Sequence, residues 1–317
     1  MTDTKAVTLN FAENFILSGS AAVISKTSVA PIERIKLLIQ NQNEMIKFGR
    51  LSSPYKGILD CAWRTAQTEG VLSLWRSNFV NCVRYFPAQA LNFAFNDHIK
   101  TIFKKSPLES HSRRFVKNIM SGSAAGALSN CITYSLDYAR TRLALDTKVL
   151  WQTGADRQFS GLIDVYRQTW KSDGIRGLYK GFVVSLVSIM IYRGCYFGFY
   201  DSLKPVVLQQ NAGFFASFTL SYTITVTANL IVYPLDTIRR RMMMTCGEKI
   251  QYSGALDCAY QIIKKEGALM LMKGATANIL RNIAGAGVLA GFDKFKDLYI
   301  RLHTSRSMSQ SSKETQV

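Results

Sequence analysis

Pro31-Ile-Glu33-Arg-Ile-Lys36 returns as Ser135-Leu-Asp137-Tyr-Ala-Arg140 and again as Pro234-Leu-Asp236-Thr-Ile-Arg239, the starts lying 104 and 99 residues apart. Downstream of each comes a second matching block. Tyr55-Lys-Gly57 leads to Asp60 and Glu69-Gly70, Phe159-Ser-Gly161 to Asp164 and Asp173-Gly174, and Tyr252-Ser-Gly254 to Asp257 and Glu266-Gly267. An aromatic residue is thus followed by Gly at +2, Asp at +5, an acid at +14 and Gly at +15, three times without a gap. Such self-similarity marks a chain built from three copies of one unit. The 317 residues divide into an N-terminal segment 1–10, repeats 11–107, 108–210 and 211–303, and a polar, Ser-rich tail 304–317, expected to be disordered.

Each unit holds two long stretches of low polarity: 11–30 and 77–103, 115–134 and 182–204, 214–233 and 276–303. About 20 residues of helix cross the ~30 Å of a bilayer's hydrocarbon core. None is a clean apolar span, because Lys26, Arg84, Arg193 and Arg281 fall where a charge is costly. One such stretch fits a buried helix of a soluble protein; six in register fit a bundle with a wet inner face. Residues 57–67, 161–171 and 254–264 read as amphipathic helices lying on the membrane surface. The expected fold is an all-α membrane protein with six transmembrane helices in three pseudo-threefold repeats and three short amphipathic helices. Counting back 13 and 9 residues from the Pro position, small residues recur (Ser18 and Ala22, Gly122 and Gly126, Ser221 and Thr225), which lets helices pack closely.

Thirty-nine Lys and Arg stand against 21 Asp and Glu, a formal charge of +18. That excess calls for an anionic counterpart: nucleic acid, acidic lipid or a polyanionic small substrate. The cations are spread through apolar segments and form neither a basic tail nor a known reader motif, which speaks against nucleic acid. Six scattered cysteines (61, 82, 131, 195, 246, 258) and three histidines make no metal site and no disulfide framework. No nucleophile–His pair or phosphate loop points to an enzyme. The N-terminus carries neither a secretory signal nor an Arg-rich transit peptide, so any organelle address is internal.

The tripled blocks resemble those of the mitochondrial carrier family over nearly the whole chain. The run Arg239, Arg240, Arg241, Met242, Met243, Met244 resembles the signature of the family's ADP/ATP carriers, as do Arg84-Tyr-Phe-Pro-Ala-Gln-Ala-Leu-Asn-Phe93 and Ala139-Arg-Thr-Arg-Leu143. Residues 41–47 and Ser135 look like the fungal branch. The resemblance implies an antiporter of the mitochondrial inner membrane, working as a monomer and exchanging ADP for ATP by alternating access, with no enzymatic step, no metal and no cofactor beyond structural cardiolipin. A carrier of the same fold for another adenine nucleotide or organelle is the alternative.

An acid at +2 and a base at +5 from the Pro project from one side of a helix near its kink. As surface groups they would be ordinary i,i+3 pairs; in a threefold bundle the acid of one unit reaches the base of the next. The resemblance implies Glu33–Arg140, Asp137–Arg239 and Asp236–Lys36 as a matrix gate braced by Gln40. It implies a cytosolic gate from Asp97, Lys100, Asp201, Lys204, Asp293 and Lys296. Between the gates the repeat symmetry breaks: Lys26 corresponds to Asn130 and Asn229, and Arg84 and Arg281 to Ser188. By resemblance, Lys26, Arg84 and Arg281 take the nucleotide phosphates, Ser188, Ile189 and Tyr192 the base, and Asn92 and Arg240 are further cavity residues. Tyr192, Tyr196 and Tyr200 recur every fourth residue, as core packing or as a stacking face for adenine. The turns at Gly57, Arg76, Gly161, Gly181, Gly254 and Gly274 are cardiolipin candidates, helix capping being the other reading. Ser135, Ser77, Met272, Asn96, Ser188 and Val232 depart from the family pattern. Ser188 stands where a Gly is usual, so its side chain is expected to narrow the adenine slot.

Overall fold

The computed structural model describes residues 11–102, 111–148, 157–207, 214–248 and 252–288, and every regular element among them is helical. Long helices α1 (Phe11–Lys47), α3 (Asn78–Ile102), α4 (His111–Leu145), α6 (Phe182–Val207) and α7 (Phe214–Met244) alternate with short helices α2 (Ile58–Glu69), α5 (Leu162–Leu178) and α8 (Ala255–Glu266). A last helix, α9, runs over 275–288, where the described residues end. Helical 3-10 turns at Val71–Trp75 and Ala268–Met272 lead into α3 and α9. Pro31 and Pro234 lie inside α1 and α7.

The second block of each repeat builds the start of its short helix. Asp60, Asp164 and Asp257 accept the backbone N–H of Lys56, Ser160 and Ser253 at 2.9, 3.0 and 3.0 Å, returning a carboxylate to the helix N-terminus where orphan donors collect. The aromatic residue two positions before the cap Gly is buried in all three repeats (Tyr55, Phe159, Tyr252). Each anchors a hydrophobic cluster joining the lower half of a long helix to its short helix: Leu37 and Leu38 with Cys61, Tyr138 with Val165, Ile238 with Cys258 and Ile262. The Gly after the +14 acid closes the helix with φ +87°, +63° and +90° at Gly70, Gly174 and Gly267, a conformation that favours glycine. At Gly174 the backbone leaves helical geometry (φ +63°, ψ −151°), so α5 is two helical pieces joined at a kink.

The polarity of the bundle is inverted relative to a soluble protein. Large apolar side chains on the long helices face outward (Ile24, Met120, Ile132, Val183, Met190, Ile283), while Lys36, Asp137, Arg140 and Arg240 are buried. Hydrocarbon tolerates the first and a wet interior the second. Only two helices among the described residues, within 182–207 and 218–244, are long and apolar enough by composition alone to read as spans. The others carry too many inward polar groups, as expected of walls around a hydrated hollow. Small residues set the spacing: a Cβ on Gly126 would stand 3.3 Å from Ile189 of α6, and one on Gly19 2.8 Å from the ring of Phe86 in α3.

Candidate substrate cavity and ion-pair layer

α1, α4 and α7 touch one another pairwise, and where they meet their acids and bases interlock. Arg140 of α4 pairs with Glu33 of α1, Arg239 Nη1 of α7 lies 3.1 Å from Asp137 of α4, and Lys36 Nζ of α1 lies 3.1 Å from Asp236 of α7. These are the cross-repeat pairings that the family resemblance implied. Asp236 also holds Arg240 Nε at 3.0 Å and Arg239 Nη2 at 3.2 Å. Gln40 Nε2 donates to Asp236 Oδ2 (3.3 Å) and to Thr237 Oγ1 (2.9 Å), directly beneath the layer.

A second tier of ties, on the +14 acids, runs in the same rotational sense. Glu69 of the first repeat takes Arg34 (2.9 Å) and, across the seam, Arg157 of the second (3.2 Å). Asp173 of the second accepts Gly247 N–H (2.6 Å) and the Cys246 thiol of the third. Glu266 of the third takes Arg241 (2.7 Å) and, from the first, Lys47 (2.8 Å) and Asn43 (2.6 Å). Burial pushes the Glu266 carboxyl up, but the bonds from Lys47, Arg241 and Asn43 outweigh it and hold it below the usual carboxylate range. In the sequence these acids stand out only as signature positions; the seam they close emerges from the fold.

Above the layer sits a cavity of about 470 Å³, with Glu33, Lys36, Asp236 and Arg239 in its floor. Its wall mixes charged and neutral groups: Arg84 of α3, Arg240 of α7 and Arg281 of α9 supply cations, while Ser129, Asn130 and Thr133 of α4 and Ser185, Ser188, Ile189 and Tyr192 of α6 are neutral. Among the described residues Arg84 has one ion pair within 4 Å, Asp137 at 3.9 Å, and Arg281 is bonded to the neutral amides of Asn278 (3.3 Å) and Asn282 (2.5 Å). Guanidinium groups so weakly neutralised, projecting into a polar hollow, suit a multivalent anion. Arg193 also lines the hollow and was not among the expected ligands; a charge in an otherwise apolar span was its one sequence signal.

Some expected ligands lie elsewhere. Lys26 is not in the wall: its ammonium sits 4.9 Å over the Tyr85 ring. Tyr196 is also outside the wall, stacked 6.2 Å from Tyr192 and 6.1 Å from Tyr200, so of the three tyrosines only Tyr192 reaches the hollow. The Ser188 hydroxyl donates to Val184 O at 2.7 Å within its own helix. The side chains of Asn92, Asp97 and Lys100, and the whole of Asp293 and Lys296, lie outside the described residues. Asp201 and Lys204 are exposed toward the end of α6, with Lys204 over the Tyr200 ring.

Compared with known families, the chain matches the sequence model described as mitochondrial carrier protein three times, over residues 7–107, 111–211 and 210–303. The chain belongs to the mitochondrial carrier family. Among curated members of the family, the mitochondrial ADP,ATP carrier protein 2 of Zea mays is 59% identical over 293 residues, covering 92% of this chain and 76% of the relative. ADP,ATP carrier protein 1 of Triticum aestivum is 59% identical over 92% of this chain and 88% of its own length. ADP,ATP carrier protein 2 of Arabidopsis thaliana is 58% identical over 90% and 75%. These plant relatives do not bear on the fungal leaning of residues 41–47 and Ser135.

The carrier's candidate lipid positions fall at the outer edge of the seams. Gly57, Gly161 and Gly254 have extended backbone, and a Cβ added to any of them would meet open space, so nothing within the chain demands glycine there. At Gly161 the open space belongs to a second cavity, of about 540 Å³, between the starts of α3 and α5, with Arg76 and Ser77 on the facing side. Gly181 and Gly274 are required internally: their φ is +83° and +87°, and an added Cβ would stand 3.1 Å from Tyr134 Oη and 2.9 Å from Tyr233 Oη respectively. Arg76 itself is engaged by Asp146 (2.7 Å) and the Phe159 carbonyl (2.7 Å).

Proposed function

We propose that the chain is an ADP/ATP antiporter of the mitochondrial inner membrane, moving nucleotide through the single central cavity by alternating access. The observation that carries this reading is the cavity itself, a hollow whose lining combines weakly neutralised arginines with neutral, partly aromatic residues of α4 and α6, directly above an interlocked ion-pair layer. High identity to named ADP,ATP carriers over most of the chain supports it.

In this mechanism Arg84 and Arg281 bind phosphate oxygens through forked donors, and Arg240 adds positive charge from the floor. Ser188, Ile189 and Tyr192 take the adenine, Tyr192 by its ring face. Lys26, held over Tyr85, joins only by swinging its long stem toward the bound phosphates. The layer of Glu33, Lys36, Asp137, Arg140, Asp236 and Arg239, braced by Gln40, is the matrix gate in its closed state. Phosphates entering above it compete for Arg240, Arg239 and Lys36, and this competition weakens the ties that hold α1, α4 and α7 together. Opening then requires the opposite ring, from Asp97, Lys100, Asp201, Lys204, Asp293 and Lys296, to close. Two mutually exclusive gates and one site give exchange rather than a channel.

Cardiolipin belongs to the same proposal as a structural partner. Open glycine caps at helix N-termini offer backbone N–H donors and a favourable dipole to lipid phosphates, and the apolar cavity beside Gly161 has room for acyl chains. A single chain already encloses the cavity, so the proposed working unit is a monomer. The decisive experiment is uptake of labelled ADP into liposomes preloaded with ATP. Arg84→Ala and Arg281→Ala should each lower exchange at least tenfold; normal uptake in both variants would refute the assigned phosphate site.

A further inference from the structure

Away from the central cavity, and sharing no residue with it, a small pocket of about 40 Å³ opens between the loop after α1, helix α2 and the chain just beyond α4. Arg50, Arg64 and Lys148 line it with one carboxylate, Glu69. Glu69 is already held by Arg34 and Arg157, which are not part of the wall. Arg50 has Glu248 at 2.5 Å; Arg64 lies over the Tyr55 ring, donates through Nη1 to the carbonyls of Ser53 and Pro54, and has one acid, Asp60, at 3.7 Å; Lys148 has no ion pair among the described residues. Nearby Arg142 is buried and spends its donor on the Met244 carbonyl rather than on an acid. Burial and the neighbouring Arg142 push the Arg50 guanidinium toward easier deprotonation, as expected where positive charge is in excess.

An independent sign comes from Thr147, which lines the same pocket. It is 7% exposed, and its buried hydroxyl has no hydrogen-bond partner. Buried hydroxyls are nearly always satisfied, so one left open beside a cationic pocket points to a missing acceptor. We propose that this pocket is a second anion site, taking a single phosphate group between Arg64, Lys148 and the Thr147 hydroxyl, with Arg50 behind. Its size admits one tetrahedral oxyanion and excludes a nucleotide. Two sources offer that chemistry: soluble inorganic phosphate, and the headgroup of an anionic lipid at the membrane surface.

The test uses the full chain in phosphatidylcholine nanodiscs, carrying Arg84→Ala and Arg281→Ala so that the central cavity is silenced. Inorganic phosphate, titrated against chloride at constant ionic strength, should raise the melting temperature with a midpoint in the millimolar range. Arg64→Gln with Lys148→Gln, both at the surface and therefore compatible with folding, should shift that midpoint at least tenfold. Thr147→Val, which keeps the shape, should shift it several-fold. In a parallel arm, nanodiscs containing phosphatidic acid replace free phosphate; stabilisation lost in the same variants only there assigns the site to a lipid headgroup. Stabilisation that chloride reproduces, or that the variants leave unchanged in both arms, overturns the site. None of these readouts needs nucleotide exchange, so the second site stands or falls apart from the transport reading.

Discussion

Asp236 is the most heavily bonded member of the ion-pair layer, and neutralising it gives the sharpest test of that layer. Its carboxylate lies within 3.3 Å of Lys36, Arg239, Arg240 and Gln40. Asp236→Asn keeps the volume but leaves three cations facing a neutral amide. A unit-charge pair at 4 Å is worth about 4 kcal/mol at an effective dielectric of 20. Removing one partner of a buried pair costs about 3–5 kcal/mol. Asp236 keeps 19% side-chain exposure, and the remaining acids, Glu33 and Asp137, redistribute some of the attraction, so about 2–4 kcal/mol is expected here. At ~2–4 °C per kcal/mol for a chain of this order of size, the apparent melting temperature should fall by about 4–16 °C. Gln40→Ala, which deletes two hydrogen bonds without unbalancing charge, should cost only about 1–2 kcal/mol. Lys36→Met added to Asp236→Asn should recover part of the loss, because it removes one stranded cation. Cys61 and Cys258 are fully buried and Cys131 is exposed, so a thiol-reactive dye reports the unfolding as the signal gained above the labelling of Cys131. An Asp236→Asn protein melting within 2 °C of the unaltered one, or a double variant weaker than the single, would refute the view that this layer is a coupled electrostatic lock.

Three further outcomes follow from single residues. Glu266→Gln should destabilise at neutral pH by about 1–2 kcal/mol, less than a fully broken buried pair, since Lys47 and Arg241 lose one of their two shared acids and keep Glu44. Because the folded carboxyl titrates below its unfolded value of about 4.5, that stabilisation is complete above pH 4.5 and is lost as pH falls through the lower, folded value; a difference from the parent that stays constant from pH 7 to 3.5 would contradict the assignment. Ser77 has φ +85° where its repeat counterparts Gly181 and Gly274 have φ +83° and +87°, so Ser77→Gly should stabilise by about 0.5–1 kcal/mol, read as a rise in melting temperature. Ser188→Gly should raise nucleotide affinity in equilibrium binding if its Cβ and hydroxyl crowd the wall beside Ile189; an unchanged affinity means that the hydroxyl, tied to Val184 O, stays clear of the substrate.

Much of the fold was legible because the repeats supply their own alignment. Asp at +5 recurs three times, and the structure gives the reason in three matching caps. The cross-repeat ion pairs were legible in part: spacing and threefold symmetry place an acid of one unit within reach of the base of another, while the particular pairing came from the family resemblance. Partners that break the symmetry were not legible. Seven residues after the Pro position stand Leu38, Arg142 and Arg241: in the third repeat Arg241 binds Glu266, in the second Arg142 turns to the Met244 carbonyl, and in the first, which has no base there, Glu69 takes Arg34 and Arg157. Spacing does not foretell that substitution, because the replacement cations come from other registers. Nor does it tell which way a long side chain turns: Lys26 and Arg84 occupy comparable depths, yet one covers a tyrosine ring and the other enters the hollow.

Ser77 shows how the scaffold absorbs such departures. In the second and third repeats a tyrosine before the motif, Tyr134 or Tyr233, donates its hydroxyl to the carbonyl of Lys180 or Lys273 and crowds the glycine that follows. The first repeat has Ala30 at that position, so the hydroxyl that would exclude a side chain from residue 77 is missing, and the remaining penalty is the backbone strain alone. The same logic separates scaffold from site throughout the molecule. Caps, seams and ion pairs are repeated around the axis because each closes an equivalent joint, and a change in one copy is matched by a change beside it. The cavity wall is under the opposite demand: an asymmetric nucleotide needs cations on one side and neutral groups on the other, so Arg84 and Arg281 have no cationic counterpart at Ser188. Restoring symmetry there with Ser188→Arg would place a third guanidinium in the proposed adenine slot, and exchange should be lost while the ion-pair layer and its melting temperature remain within a few degrees of the parent.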